Sequence, residues 1–408
     1  MKKGFFNKSQ IKSIKIGRTP LSCASCGLYK NNSTPRMPAY GKFRKGVLFI
    51  GEAPGKRDDR KGKPFQGPDG FDLEQILDKI GFNLFRDGLS TFACACQTPK
   101  NRKPSGYELS CCRPKLIQLI NEYKPKVVVL LGTSALTSIV QYTWKPGAAS
   151  ISQWRGFQIP DRTLNTWICP VYHPSFVDKY EKNNQKNLAR VIWQNDLKKA
   201  LSKINEPVIF EDESKYITYV NTDSEFKNAF NRINKADLMA FDYETTGLKP
   251  HAFGHQIVTV SAAISEKEVY VWMNSLYRAK LFKQILENPK IKKIAHNLSY
   301  EDLWSTVIFK AVVQNWYWDS LNNSHILDNR TGIHGLKLQT YLNFGVPEYD
   351  GLVSPFISSS KESGANSFNK ILEFVKKYGV NELMKYCGLD SLYTFKLSLL
   401  QKKLMQYL

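Results

Sequence analysis

The chain predicts two α/β domains in tandem, and three observations carry that prediction. In the first half, short fully apolar runs of strand length, Val47–Ile50, Val127–Leu131 and Ile168–Val171, alternate with helix-forming stretches. In the second half, the apolar run Leu238-Met239-Ala240 leads directly into closely spaced acids, and Ile294-Ala295 leads into a helical segment. Between the halves, Glu206–Ser214 is acidic and holds Pro207, which marks a linker. A length of 408 residues with 42% hydrophobic content suits two filled cores. The predicted boundaries are a basic flexible N-terminus at 1–19, a first domain at 20–204, a linker at 205–214 and a second domain at 215–408.

In the first domain the cysteines stand out. Cys23-Ala24-Ser25-Cys26 forms a CxxC pair, and Cys96 and Cys112 follow at a distance. Four thiolates in that spacing suit either tetrahedral zinc or an iron–sulfur cluster. Cys94 and Cys111 adjoin these ligands, while Cys169 and Cys387 fall in apolar contexts and read as small packed side chains. No apolar leader or long apolar segment is visible, so a reducing cytosolic compartment is expected and disulfides are not. Strand Val47–Ile50 delivers Gly51-Glu52-Ala53-Pro54-Gly55, then Gly62-Lys63-Pro64-Phe65-Gln66-Gly67-Pro68-Asp69-Gly70 opens a helix. Strand Val127–Leu131 ends on Gly132, and the third strand runs into Tyr172-His173-Pro174-Ser175.

Together these segments resemble the family-4 uracil-DNA glycosylases over roughly residues 20 to 200. The resemblance implies an α/β/α domain with a structural 4Fe–4S cluster on Cys23, Cys26, Cys96 and Cys112, the last followed by Arg113-Pro114-Lys115-Leu116. A glycosylase extrudes its base, holds it in a pocket and stabilises the departing pyrimidine. By resemblance, Phe65 stacks on the flipped base, Glu52 and Asp58 handle the water, and His173 supports the developing negative charge. Asp58 replaces the family's usual glutamate. Four residues before Cys96, where the family places a uracil-reading asparagine, this chain has Phe92. A phenyl ring makes no paired hydrogen bonds to a pyrimidine edge, so base excision is expected to be weakened or lost.

The second domain opens with Phe241-Asp242-Tyr243-Glu244-Thr245-Thr246-Gly247. Residues i and i+2 of a strand share a face, so Asp242 and Glu244 point their carboxylates together. Adjacent acids repel unless a cation neutralises them, and a divalent metal is the usual one. Ile294–Asp302 reads as a buried strand entering a helix, with Glu301 as the third acid; Asp302 lies about 100° around that helix. Downstream, Tyr386 and Asp390 stand four apart on one helical face. Phosphodiester hydrolysis by two metals needs such carboxylates to converge, and a tyrosine hydroxyl can orient the water. The three segments resemble the DEDD-type proofreading exonucleases, tyrosine subtype, of the ribonuclease-H-like fold, over roughly residues 215 to 408. That family usually has aspartate where Glu301 stands. The resemblance implies two Mg2+ or Mn2+ ions on Asp242, Glu244, Glu301 and Asp390, with Tyr386 beside them. Asp319 and Asp328 are secondary candidates, and Lys385 stands where the histidine subtype places its histidine.

Formal net charge is +22, from 58 Lys and Arg against 36 Asp and Glu, which favours a polyanionic partner through counterion release. Basic runs near Lys42–Lys45, Lys56–Lys63 and Lys100–Lys103 flank the expected pocket and suit DNA-backbone contacts; no membrane partner is expected. The expected substrate is DNA, as single-stranded 3′ ends or primer–template. The tandem is similar to the front part of some bacteriophage family-A DNA polymerases, which implies a role in replication, in the host cytosol if phage-encoded. Only 18 residues follow Asp390, so a separate polymerase subunit is expected, or the chain is a fragment. Two alternatives stay open: an active uracil-DNA repair glycosylase with an accessory nuclease, and a non-catalytic DNA-binding scaffold for a polymerase.

Overall fold

A computed structural model of the protein describes residues 22–145, 150–182, 188–357 and 367–406. The basic N-terminus expected at 1–19 lies outside the described residues. Contacts divide the chain into one unit of Met1–Phe210 with Tyr341–Pro347, and a second of Glu211–Thr340 with Glu348–Leu408. The division thus falls between Phe210 and Glu211, inside the stretch read as a linker. The sequence runs the second domain unbroken from 215, whereas the structure groups Tyr341–Pro347 with the first unit.

The first unit is built on a five-stranded sheet of β1 (Val47–Gly51), β2 (Gly88–Phe92), β3 (Val127–Leu131), β4 (Ile159–Asp161) and β5 (Thr166–Val171). Their order is β2-β1-β3-β5-β4, all parallel except β4, which runs antiparallel to β5. Every residue of β1, β2 and β3 is buried, as unbroken apolar runs require when helices cover both faces. The core gathers Val47, Phe49, Leu73, Leu77, Val129, Trp193 and Leu197. Full burial of such side chains is worth about 1.5–3 kcal/mol each. From β1 the sheet grows to β2 on one side and to β3 on the other, so the order of strand addition reverses between the parallel strands β1 and β3. In open parallel sheets ligands bind at the carboxyl ends of strands beside such a reversal. Glu52, Phe92, Gly132 and His173 all stand at or just past those strand ends.

The second unit carries a six-stranded sheet of β6 (Ile217–Val220), β7 (Leu238–Thr245), β8 (Ile257–Ser265), β9 (Glu268–Met273), β10 (Lys292–Ala295) and β11 (Trp316–Asp319). The order is β11-β10-β7-β8-β9-β6, with β8 antiparallel to both neighbours and the other pairings parallel. This mixed sheet is the ribonuclease-H-like arrangement, with the acid-bearing β7 near its middle. The helix Val380–Met405 packs across β7, β8 and β9, and its buried face includes Leu383, Tyr386, Cys387, Asp390 and Leu397. Ser261 on β8 donates its hydroxyl to the Cys387 carbonyl at 2.8 Å, which fixes the helix's height on the sheet. Phe226, Phe241, Trp272, Phe282 and Trp304 fill the core. Among the described residues, no helix is long and apolar enough to cross a membrane.

One glycine makes a sharp test. A glycine-to-alanine change inside a helix ordinarily gains up to about 1 kcal/mol. At Gly70, in the helix Pro68–Lys79, a Cβ would lie 2.0 Å from the Phe65 carbonyl oxygen, a backbone atom that cannot swing aside. Gly70→Ala is therefore expected to lower the denaturant midpoint of the first unit, whereas Gly106→Ala, whose Cβ would meet nothing within 4 Å, leaves it level or raises it.

Candidate functional site

In the second unit, strand alternation sends Asp242 and Glu244 to one face while Tyr243 turns to the other, its hydroxyl 2.8 Å from Ser305 Oγ in the core. The helix Leu298–Trp304 brings Glu301 to the same neighbourhood. It starts from Asn297 in the left-handed conformation (φ 74°), and the Asp319 carboxylate accepts the Asn297 and Leu298 amides at 3.1 and 3.2 Å. Asp319 also accepts the Leu321 amide at 2.9 Å, capping the next helix. Its oxygens are thus engaged in holding two helix starts. Asp328 is likewise engaged, by the Arg330 guanidinium at 2.9 Å, and Asp302 accepts the Trp316 indole N–H at 2.9 Å. Glu301 differs from all three: it is 3% exposed, and its Oε2 has no hydrogen-bond partner among the described residues.

The helix Val380–Met405 supplies Tyr386, Cys387 and Asp390. Asp390 accepts the Tyr349 hydroxyl at 2.7 Å and pairs with the Lys337 ammonium, which lies 4.1 Å from the centre of the Tyr386 ring. Burial pushes the Asp242 carboxyl well above the ordinary carboxylate range, and the charge of Asp390 pushes it further, with Lys337 opposing. Glu244 is raised by burial and then by Asp242 and Asp390, and Glu301 by burial and then by Asp242. Burial and the nearby Asp390 also keep the Tyr386 hydroxyl protonated. The four predicted acids therefore share one electrostatic neighbourhood. Buried like charges with an orphaned carboxylate oxygen are a donor set that a divalent cation satisfies.

Sequence reasoning missed two participants. Lys337, to which the sequence reading gave no role, is the cation on Asp390. Cys387, read as a packed apolar side chain, holds its Sγ 3.8 Å from Asp242 Oδ2, and Asp242, Glu244 and Cys387 offer ligand atoms all within 4.8 Å of one another. The available signal was helical spacing, since Cys387 and Asp390 are three apart.

In the first unit, the Glu52 carboxylate accepts the Ser134 hydroxyl at 2.6 Å. Asp58 accepts the Gly55 amide at 2.7 Å on one oxygen and the Gln66 amide at 2.6 Å on the other. Those two bonds clamp the loop between them, a part that the resemblance does not imply for Asp58. Phe65 takes the left-handed conformation (φ 58°), and its ring centre lies 5.2 Å from that of Phe92. Each ring is only 5% exposed, so the expected stacking platform is packed against the residue that replaces the uracil reader. A Cβ at Gly51 would meet both rings, at 2.8 and 3.0 Å. His173 accepts the Ser175 amide on Nδ1 at 3.3 Å, which leaves its proton on Nε2, and burial holds it neutral against the charges of Asp69 and Glu52.

Burial raises the Cys96 thiol, and the charges of Cys112, Cys23 and Cys26 raise it further. The Arg36 amide donates to Cys96 Sγ at 3.3 Å, the kind of bond that tunes cluster sulfurs. Cys94, beside these ligands, hydrogen-bonds Cys112 and draws the Cys112 thiol down to about 7.

Family comparison agrees with both halves. The model of the uracil DNA glycosylase superfamily matches residues 38–197, and that of the 3′-5′ exonuclease domain matches residues 217–408. The type-4 uracil-DNA glycosylase of Pyrobaculum aerophilum is 30% identical over 158 residues, 38% of this chain and 79% of that protein. That of Sulfurisphaera tokodaii is 31% identical over 188 residues, 45% and 81% of the two chains. Among solved structures, Brucella melitensis NrnC with bound Mg2+ is similar at a TM-score of 0.34 and 18% identity, over 47% of this chain and 81% of that one.

The raised carboxyls fix a sign for pH dependence. A group whose pKa is higher folded than unfolded stabilises the fold at low pH and costs stability as pH climbs through the window between the two values. Without metal, ionising Asp242 against Asp390 is such a cost. In chelator, Asp242→Asn is expected to raise the thermal midpoint by a few degrees at about pH 8 and by little at about pH 4, as read by thermal unfolding.

Proposed function

This chain belongs to the type-4 uracil-DNA glycosylase family through its first half and carries a 3′-5′ exonuclease domain in its second; on that premise we propose that it is a metal-dependent 3′→5′ DNA exonuclease of the proofreading type, acting in replication with a separate polymerase subunit in the cytosol. The observation that carries this reading is the convergence of Asp242, Glu244, Glu301 and Asp390, each of the first three raised by burial and by its acidic neighbours. These four residues would hold two Mg2+ or Mn2+ ions. Ions held there would supply the activation of a water and the stabilisation of the leaving 3′ oxygen. The Tyr386 hydroxyl, kept protonated, would donate a hydrogen bond to orient that water. Lys337 offsets the charge of Asp390 and keeps the site assembled before metal arrives.

In this reading the first unit grips DNA. Cys23, Cys26, Cys96 and Cys112 hold a structural 4Fe–4S cluster, and lysines and arginines beside the pocket contact phosphates. The packing of Phe92 on Phe65 supports the loss of uracil excision, because the ring that would receive a base is already covered. One observation favours a second reading, an active glycosylase: Glu52 remains, and His173 stays neutral with a donor N–H suited to an oxyanion.

Two measurements decide between these readings. Asp242→Ala is expected to reduce Mg2+-dependent release of 3′ nucleotides by on the order of 10³-fold or more, with DNA affinity nearly unchanged; undiminished degradation removes the exonuclease assignment to this site. On uracil-containing DNA, the wild-type chain is expected to leave no abasic sites, while Phe92→Asn, which restores a paired donor and acceptor, gains His173-dependent excision. Abasic sites formed by the wild type would instead establish the second reading.

A further inference from the structure

The inference concerns which cation the acidic site selects, and it rests on the reading that these acids bind metal. We propose that Cys387 joins Asp242 and Glu244 to make a mixed thiolate–carboxylate site for a soft divalent cation of the zinc and cadmium class.

The geometry is that of ligands around one ion. Zinc binds sulfur at about 2.3 Å and carboxylate oxygen at about 2.0–2.2 Å, so a sulfur and an oxygen on one tetrahedral ion stand about 3.6 Å apart. Cys387 Sγ lies 3.8 Å from Asp242 Oδ2, and the Glu244 carboxylate completes a group whose ligand atoms span no more than 4.8 Å. The sulfur is held in place. Its residue is fully buried, its own carbonyl accepts Ser261 Oγ at 2.8 Å, and Sγ also lies 3.6 Å from the Asp242 carbonyl. An independent feature also points to a cation: Glu301 Oε2, on a side chain 3% exposed, lacks any hydrogen-bond partner among the described residues.

Ligand softness then decides selectivity. A site of carboxylates alone suits Mg2+ and Mn2+, whereas a thiolate in the set shifts preference toward zinc and its heavier congener. The thiol proton leaves to solvent as the sulfur ligates, and nothing is oxidised or reduced. A thiophilic ion taken up there competes for the carboxylates that the hydrolytic ions need, so trace zinc is expected to oppose Mg2+ at this site.

The test uses the full-length, cluster-loaded protein, in which the cradle thiols are already occupied. Cadmium is titrated into it and binding is followed by the ultraviolet sulfur-to-cadmium charge-transfer band and by calorimetry. The wild type is expected to bind one more equivalent than Cys387→Ser or Cys387→Ala, or to bind it tighter by on the order of tenfold or more. A second measurement needs no variant: excess Mn2+ is expected to bleach part of the wild-type band, because the same carboxylates hold both ions. Equal binding by wild type and both variants, or a band indifferent to Mn2+, overturns the proposal. Mg2+-dependent nucleotide release by the wild type is measured in parallel. Nuclease activity without Cys387-dependent cadmium binding defeats only this inference, and Cys387-dependent binding without nuclease activity defeats only the functional reading.

Discussion

Like-charge repulsion among buried carboxylates is the constraint that organises the second unit. Asp242 and Glu244 are neighbours on one face of β7, and the unit's longest helix presses Asp390 toward them from above. Taking such groups out of water while leaving them unpaired would cost several kcal/mol per ion. Lys337 offsets part of that cost by pairing with one of the acids, while the aromatic core from Phe226 to Trp304 packs with Phe241 and Tyr243 on the other face of β7. What remains is a concentrated negative charge with one orphaned carboxylate oxygen, a set that a divalent cation would complete.

The first unit shows the opposite history of a site. Its scaffold for base chemistry is intact: the parallel strands, the reversal between β1 and β3, the clamped loop, and His173 at a strand end. Its interior is changed by a single ring. Phe92 packs on Phe65 at the position where the resemblance expects a polar reader, so two buried rings fill that space against each other. Cys96 stands only four residues beyond Phe92, so the predicted cradle and the changed pocket share one stretch of chain.

Much of this was legible in the sequence, and the reasons are specific. Asp242 and Glu244 announced themselves through the two-residue period of a strand, Tyr386 and Asp390 through helical spacing, and β1, β3 and β5 through unbroken apolar runs. Glu301 was separable from Asp302 by helical angle, and in the structure Asp302 is engaged by the Trp316 indole while Glu301 keeps an unpartnered oxygen. The unread parts are those that depend on long-range packing. Lys337 reaches Asp390 across 53 residues, and Cys387 meets Asp242 across 145, distances at which local periodicity is silent. The affiliation of Tyr341–Pro347 with the first unit is hidden for the same reason, because Tyr341 donates its hydroxyl to Asp161, 180 residues away.

Asp319 carries an implication of its own. One carboxylate pins the opening turns of two successive helices, and the first of those helices aims Glu301. The rim strand β11 and the third acid of the centre are thereby geared together, so neither can drift without dragging the other. A change at this position therefore reaches further than its place at a sheet edge suggests: a carboxylate occupied by backbone amides still sets where the Glu301 side chain begins.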